Sequence, residues 1–167
     1  CVEAGVKAIY AEKPLALSLD EADEMVSAAR EKGIVVGVGC TRRWDPYWTM
    51  IRSVIANGDL GDLLQVNAMG SAGISHNGSH MIDLIRFLVD DDIAWVFGES
   101  ESDEIAATDD DHQFNGYLAF AGGVRSFIRT WPSGVSNWSV EIVGTNGTIR
   151  AVADGLDTDW IVRDASN

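Results

Sequence analysis

At 167 residues with 46% hydrophobic side chains, the chain has the composition of a globular protein with one good core or two small ones. Its 12 basic and 26 acidic residues leave a net charge of −14, which makes nucleic acid and anionic membranes poor partners. No apolar run approaches the roughly 20 residues of a membrane span and no signal peptide opens the chain. The cysteines, Cys1 and Cys40, show neither disulfide-framework nor zinc-ligand spacing, which suggests a reducing, cytoplasmic compartment.

Residues 1–5 read as the last turn of a helix with a glycine stop, and no Met initiates the chain, so a fragment of a longer protein is expected. Residues 6–11 are a short apolar strand closed by Glu12-Lys13-Pro14. Ser18 and Glu21 then form a capping box, Ala22, Met25, Val26 and Ala29 an apolar stripe, and Gly33 a helix stop. Residues 34–39 are near-continuously apolar, as in a strand buried on both faces of a parallel sheet. Strand, helix and strand make one βαβ unit. One unit alone does not make a stable open sheet, so further strands are expected before Cys1.

Residues 40–45 form a polar hinge containing Arg42-Arg43-Trp44. Asp45 caps a second helix with Pro46 in its first position, and Tyr47, Met50, Ile51, Val54 and Ile55 form its stripe up to Asn57-Gly58. Leu64, Val66 and Ala68 alternate with Gln65 and Asn67, the pattern of a half-buried strand.

The stretch from Ser75 to Leu88 organises the rest. Met81, Leu84, Ile85 and Leu88 form one apolar helical stripe, and Asn77 or Ser79 can cap the first turn. His80 then lies in that first turn, with Asp83 on the same face. The positive end of the helix dipole disfavours a protonated imidazole there, and a neighbouring carboxylate can fix its tautomer. Such a histidine can take or give a proton, although a histidine that merely caps a surface helix carries the same local pattern.

After Asp90-Asp91-Asp92 the period becomes two. Residues 93–97, 113–120 and 124–131 read as strands, the last pair joined at Gly122-Gly123, and residues 138–143 and 148–152 as a hairpin around Asn146-Gly147. Strands without intervening helices imply an open, largely antiparallel sheet with helices on one face. Its strands present Phe114, Leu118, Phe120, Phe127 and Trp131 at alternating positions, and apolar residues left on the free face would be buried against a second copy, making a homo-oligomer. The acidic runs at 99–104 and 109–112 match no metal loop, and no metal is expected. The whole reads as an α/β remnant over residues 1–40 followed by an α+β domain over 41–167.

Four motifs in this order carry a resemblance: Glu12-Lys13-Pro14, Arg42-Arg43-Trp44-Asp45-Pro46, Gly78-Ser79-His80-Met81-Ile82-Asp83 and Glu141-Ile142-Val143-Gly144-Thr145-Asn146-Gly147-Thr148. With them the chain resembles, over essentially its whole length, the Gfo/Idh/MocA oxidoreductases, NAD(P)-dependent enzymes acting mostly on sugars, inositols and related polyols. The resemblance implies a Rossmann domain ending near Gly39, then a substrate domain whose open sheet forms dimers and tetramers. It implies NAD or NADP as cofactor, with Glu12, Lys13 and Pro14 at the cofactor and Lys13 also at the substrate hydroxyl. His80 becomes the acid/base or a substrate ligand, in a role the family allows to be exchanged with that of Lys13, and His76, Asp83, Arg43 and Trp44 lie on the substrate side. Two departures stand out. A Gly-x-Gly-x-x-Gly turn is not among these residues, so the isolated chain is expected to be inactive and not to bind NAD(P). His76 also stands where the family often has an aspartate.

Lys13 makes chemical sense without the family. The carboxyl end of a parallel strand is where open α/β folds bind ligands, and an ammonium there can polarise a carbonyl oxygen during hydride transfer. Lys13 and His80 are expected to converge on one cleft. Two other readings keep the same residues: a non-catalytic binding or assembly module without a cofactor domain, and a same-fold NAD-dependent glycoside hydrolase.

Overall fold

The computed structural model describes residues 1–108, 110–132, 138–152 and 157–162. Asp109 of the second acidic run and residues 163–167 lie outside them. The chain divides into two compact units, Cys1–Cys40 and Thr41–Asn167.

In the first unit, a 3-10 turn at Val2–Ala4 ends at Gly5 in the left-handed region. Strand β1 (Ala8–Ala11), helix α1 (Leu19–Glu31) and strand β2 (Val35–Val38) follow. The two strands pair in parallel, Ala8 opposite Val35 through Ala11 opposite Val38. Ser18 Oγ accepts the Glu21 N–H as the capping box requires, while Glu21 Oε2 reaches back to the N–H of Leu17, one residue earlier than expected. Of the α1 stripe only Ala29 is buried; Met25 and Val26 stay exposed. Val35 is likewise exposed, against the expectation of a strand covered on both faces, because this parallel sheet has two strands among the described residues.

The second unit opens with a 3-10 turn at Thr41–Trp44, and Asp45 Oδ1 then accepts the Tyr47 N–H to cap helix α2 (Pro46–Ala56). The α2 stripe differs from expectation at one point. Trp48, Ile51 and Val54 are buried, and Met50 is exposed. Trp48 lies three residues before Ile51 and so shares its face, whereas Met50 falls on the flank.

Strand β3 (Leu63–Ser71), a π-helical turn (Ile74–Gly78), helix α3 (Ser79–Val89), strand β4 (Ile93–Ser100), the short helix α4 (Asp103–Ala106) and strands β5 (Phe114–Phe120), β6 (Arg125–Trp131), β7 (Ser139–Gly144), β8 (Gly147–Val152) and β9 (Asp157–Val162) complete the unit. The strands form one sheet in the order β4-β5-β6-β3-β7-β8-β9. Only the central β3–β6 pair is parallel; the other described pairs are antiparallel. Strand β9 was not expected from the sequence. It pairs with β8 along its length, and the Tyr47 hydroxyl of α2 bonds to its Thr158 Oγ1 at 2.7 Å. Burial raises the Tyr47 phenol above its ordinary pKa; the bond to Thr158 offsets part of that rise, and the Asp45 charge adds to it.

Helix α3 packs its apolar stripe on the sheet. Met81, Leu84, Ile85 and Leu88 are no more than 1% exposed and share a core with Trp48 and Ile51 of α2 and with Val66, Ile128, Val140, Ile142 and Ile149 of the strands. Burying each such large side chain contributes about 1.5–3 kcal/mol.

Register decides two further departures. Between Leu63 and Gln65, β3 advances two residues while β7 advances one, so Leu64 is the extra residue of a bulge. It points outward at 48% exposure, and Leu63 packs on the core instead. Phe114, Leu118 and Phe120 belong to the buried core, while Phe127 is exposed. Beside it Trp95 stacks on Tyr117 at 5.1 Å between ring centres, and Tyr117 meets Phe127 edge-on at 4.9 Å. Trp95, Phe97 and Phe127 are the apolar exposure of that patch.

Candidate active site

Helix α3 begins differently from the expected capped turn. Neither Asn77 nor Ser79 caps a bare first turn, because the chain is already helical from Ile74, where the Gly78 N–H reaches the Gly73 carbonyl at 2.7 Å. Ser79 Oγ donates back to the carbonyls of Ser75 and His76. The amino end of the helical stretch is met from outside. Asp111 accepts the Ser75 N–H at 2.7 Å and the His76 N–H at 3.3–3.4 Å, and the Ile74 N–H bonds to the His112 carbonyl. The negative charge that the dipole favours at a helix start is therefore Asp111. Because the helical stretch begins at Ile74, His80 lies beyond its first turn, where the dipole acts less on it.

Glycine makes this packing possible. A Cβ on Gly73 would run into the Asp111 carboxylate, and one on Gly78 would lie 2.5 Å from Phe114 Cε1 and 2.8 Å from the Gly73 carbonyl oxygen.

The half-buried His80 ring lies 6.2 Å from the ring of Trp138, which is 4% exposed. The Arg42 guanidinium stands 5.0 Å over the same indole, a cation–π distance. One buried aromatic residue thus touches both the imidazole and a cation from the hinge.

Asp83, expected to orient His80, gives both carboxylate oxygens to Arg43. Nε donates at 3.0 and 2.8 Å and Nη2 at 2.7 Å, a bidentate pair in a partly buried setting. Arg43 also stacks over Phe87, as Arg52 does, and Arg52 pairs with Asp90. Arg43 and Asp83 thus join the hinge to α3, while Trp44 beside them is exposed. His76 is exposed on the π-helical turn.

Glu12, Lys13 and Pro14 belong to the first unit, directly after β1, and the Lys13–Pro14 peptide bond is cis. There the Gly39 N–H bonds to the Ala11 carbonyl at 2.8 Å, and a Cβ on Gly39 would meet the Tyr10 hydroxyl, the Ala11 carbonyl and Glu12 Oε2. Glu12, Lys13 and Pro14 thus follow the carboxyl end of a parallel strand, where open α/β folds bind ligands. The pyrophosphate needs a glycine-rich turn, which these residues do not contain.

Sequence reasoning missed Asp111 and Trp138. Asp111 sits in an acidic run of the kind that is usually solvated, and Trp138 lies at a strand start far along the chain from His80. Neither carries a local signal. Among the described residues no cluster of three or more His, Cys, Asp or Glu side chains could hold a metal ion, and no helix is long and apolar enough to cross a membrane.

Comparison with known proteins follows the same division. Residues 1–40 match the family model described as oxidoreductase family, NAD-binding Rossmann fold, and residues 67–150 match that of the GFO/IDH/MocA C-terminal domain. The trans-1,2-dihydrobenzene-1,2-diol dehydrogenase of Bos taurus is 31% identical over 96% of this chain and 50% of its own length. The scyllo-inositol 2-dehydrogenase (NAD(+)) of Bacillus subtilis is 28% identical over 86% of this chain and 47% of its own. The chain thus spans about half the length of the curated relatives it matches. In fold it is similar to the WlbA dehydrogenase of Bordetella pertussis, crystallised with NADH and UDP-GlcNAcA, at a TM-score of 0.84 and 18% identity over 99% of this chain and 59% of that one.

Proposed function

The chain belongs to the Gfo/Idh/MocA family of NAD-binding oxidoreductases, and on that premise we propose that it is part of a cytoplasmic NAD(P)-dependent dehydrogenase of a sugar, inositol or related polyol. The observation that carries this reading is His80, half-buried at the start of α3 near Trp138, over whose indole the Arg42 guanidinium stands. The names of the relatives, an inositol and a cyclic diol dehydrogenase, support the substrate class.

Oxidising a secondary alcohol removes a hydride from carbon and a proton from oxygen. A nicotinamide held at Glu12, Lys13 and Pro14 would supply the hydride acceptor. The remaining work falls to side chains: His80 takes the hydroxyl proton as general base, and the Lys13 ammonium serves to stabilise negative charge developing on oxygen. Glu12 and Pro14 shape the cofactor side, and His76 and Trp44 contact substrate. Arg43 and Asp83 act on the substrate side as a pair, each fixing the other.

The test is turnover of inositols, sugars and diols with NAD and with NADP, in a protein carrying these residues behind a complete dinucleotide-binding segment. His80→Ala and Lys13→Ala are each expected to lower kcat by roughly 10²–10⁴. His76→Ala should act mainly on KM. Near-native turnover by both His80→Ala and Lys13→Ala, or turnover of no polyol at all, overturns the reading.

The exposed aromatic patch of Trp95, Phe97 and Phe127 supports association with a second copy. Light scattering at tens of micromolar should give at least a dimer, and Phe127→Ser should shift it toward monomer. A clean monomer of the native chain removes this part of the proposal.

A further inference from the structure

We propose that Asp111 is the positioning residue of the histidine segment, holding the π-helical turn in the shape that aims His76 and His80. The inference rests on the reading of His80 as the acid/base and adds to it a residue from outside the helix.

Two observations converge on the Asp111 side chain and a third on the backbone beside it. Its carboxylate takes the N–H groups of Ser75 and His76, the second of these being the backbone of a histidine in question. It fills the space a side chain on Gly73 would occupy, so glycine at 73 leaves the carboxylate where it stands. The backbone follows the same line, because the Ile74 N–H bonds to the carbonyl of His112, directly after Asp111.

From that anchor the turn is tied forward. The Gly73 carbonyl accepts the Gly78 N–H, and Ser79 Oγ bonds back to the carbonyls of Ser75 and His76. His80 is the next residue. Displacing Ser75 and His76 therefore rotates His76 directly and moves the start of α3 that carries His80. A carboxylate suits the task twice, as a two-oxygen acceptor and as the negative charge that the amino end of a helix favours.

The test compares Asp111→Ala, Asp111→Asn and Ile149→Val in the 167-residue chain. Ile149→Val is the control for lost stability alone, since Ile149 is fully buried in β8, two strands from β3, and has no polar side-chain atom to bond the turn. Imidazole nitrogen NMR reports the tautomer and surroundings of His76 and His80, and amide exchange reports the two N–H groups.

Asp111→Ala should shift both imidazole signals and speed exchange at Ser75 and His76 on the order of tenfold or more. Asp111→Asn keeps an acceptor oxygen and should leave the rings near their native signals, with a several-fold rise in exchange confined to those amides. Ile149→Val should lower the unfolding midpoint and leave both rings in place. Native-like rings and amides in Asp111→Ala overturn the proposal, as does an Ile149→Val variant that moves the rings equally. Should Asp111→Ala not fold, unchanged Ser75 and His76 exchange in Asp111→Asn overturns it.

These signals need no turnover, so they stand apart from the substrate reading. In an active protein, Asp111→Ala should lower kcat with Asp111→Asn restoring most of it. A loss in His80→Ala without any loss in Asp111→Ala would retain His80 as base and overturn its positioning by Asp111.

Discussion

Between Met81 and Leu88, α3 is held by side chains at helical spacing, all pressed into the core. Across Ile74–Gly78, the turn that leads into it is held by a carboxylate and a carbonyl more than thirty residues along the chain and by contacts only glycine permits. The same continuous helical stretch is thus stabilised by burial along its body and by hydrogen bonds and exclusion at its start. Burial is non-directional and tolerates small rotations, whereas a bidentate acceptor fixes the backbone it holds. A body built by packing and a start built by directed bonds is a useful division where one end must present an imidazole accurately.

The largest effect expected from breaking the division falls on the body. Leu84→Ala removes a fully buried side chain from the seam between α3 and the sheet, at a cost of about 2–5 kcal/mol. Urea unfolding should show a lower midpoint at unchanged slope. The imidazole signals of the folded variant should stay native, because the bonds around Ile74–Gly78 do not involve Leu84. If those signals move with Leu84→Ala as far as with Asp111→Ala, the body and the start are one structural device and the comparison fails.

The body was legible in the sequence for the reason it is stable. Apolar residues at i, i+3, i+4 and i+7 state their own burial, and the same logic gave the covered face of the sheet, the caps at Ser18 and Asp45 and the turns at Gly122-Gly123 and Asn146-Gly147. Where local pattern and tertiary pairing disagreed, pairing prevailed. The bulge at Leu64 reverses an alternation, β9 is defined by its pairing with β8, and Trp48 takes the buried place on α2 that the spacing assigns to Met50.

The site was legible in its residues and less so in its pairings. Arg43, Asp83 and His80 stand out as chemistry-bearing types, but the Arg43–Asp83 pair joins positions 40 residues apart, and nothing local announces it. Asp83 and His80 are neighbours by helical spacing, from which an orienting role is expected, and the carboxylate accepts a bidentate pair from a guanidinium in the hinge. Trp138 reaches His80 from β7's leading edge, and Asp111 reaches the turn from an acidic run; both depend on sheet order, which periodicity does not encode.

The smaller effect falls on the start, at Gly78. Its backbone angles, φ −62° and ψ −36°, are ordinary helical values, so alanine meets no conformational strain there. Intrinsic propensity even favours alanine over glycine in a helix by about 1 kcal/mol. Against that stands space. The added methyl would lie 2.5 Å from Phe114 Cε1 and 2.8 Å from the Gly73 carbonyl oxygen. The ring is buried in the core, and the Phe114 backbone is held by Thr130 on both its N–H and its carbonyl. The carbonyl accepts the Gly78 N–H that closes the π-helical turn. Neither neighbour is the free end of a flexible side chain, so overpacking should outweigh propensity. Gly78→Ala is expected to destabilise by about 1–3 kcal/mol and to remove exchange protection from the Gly78 amide. Gly98→Ala is the matched control, since a Cβ there meets nothing within 4 Å; its effect should stay within about 0.5 kcal/mol. A Gly78→Ala chain as stable as the native one, with its amide still protected, would mean that the turn has room to spare and that exclusion does not define the start of α3.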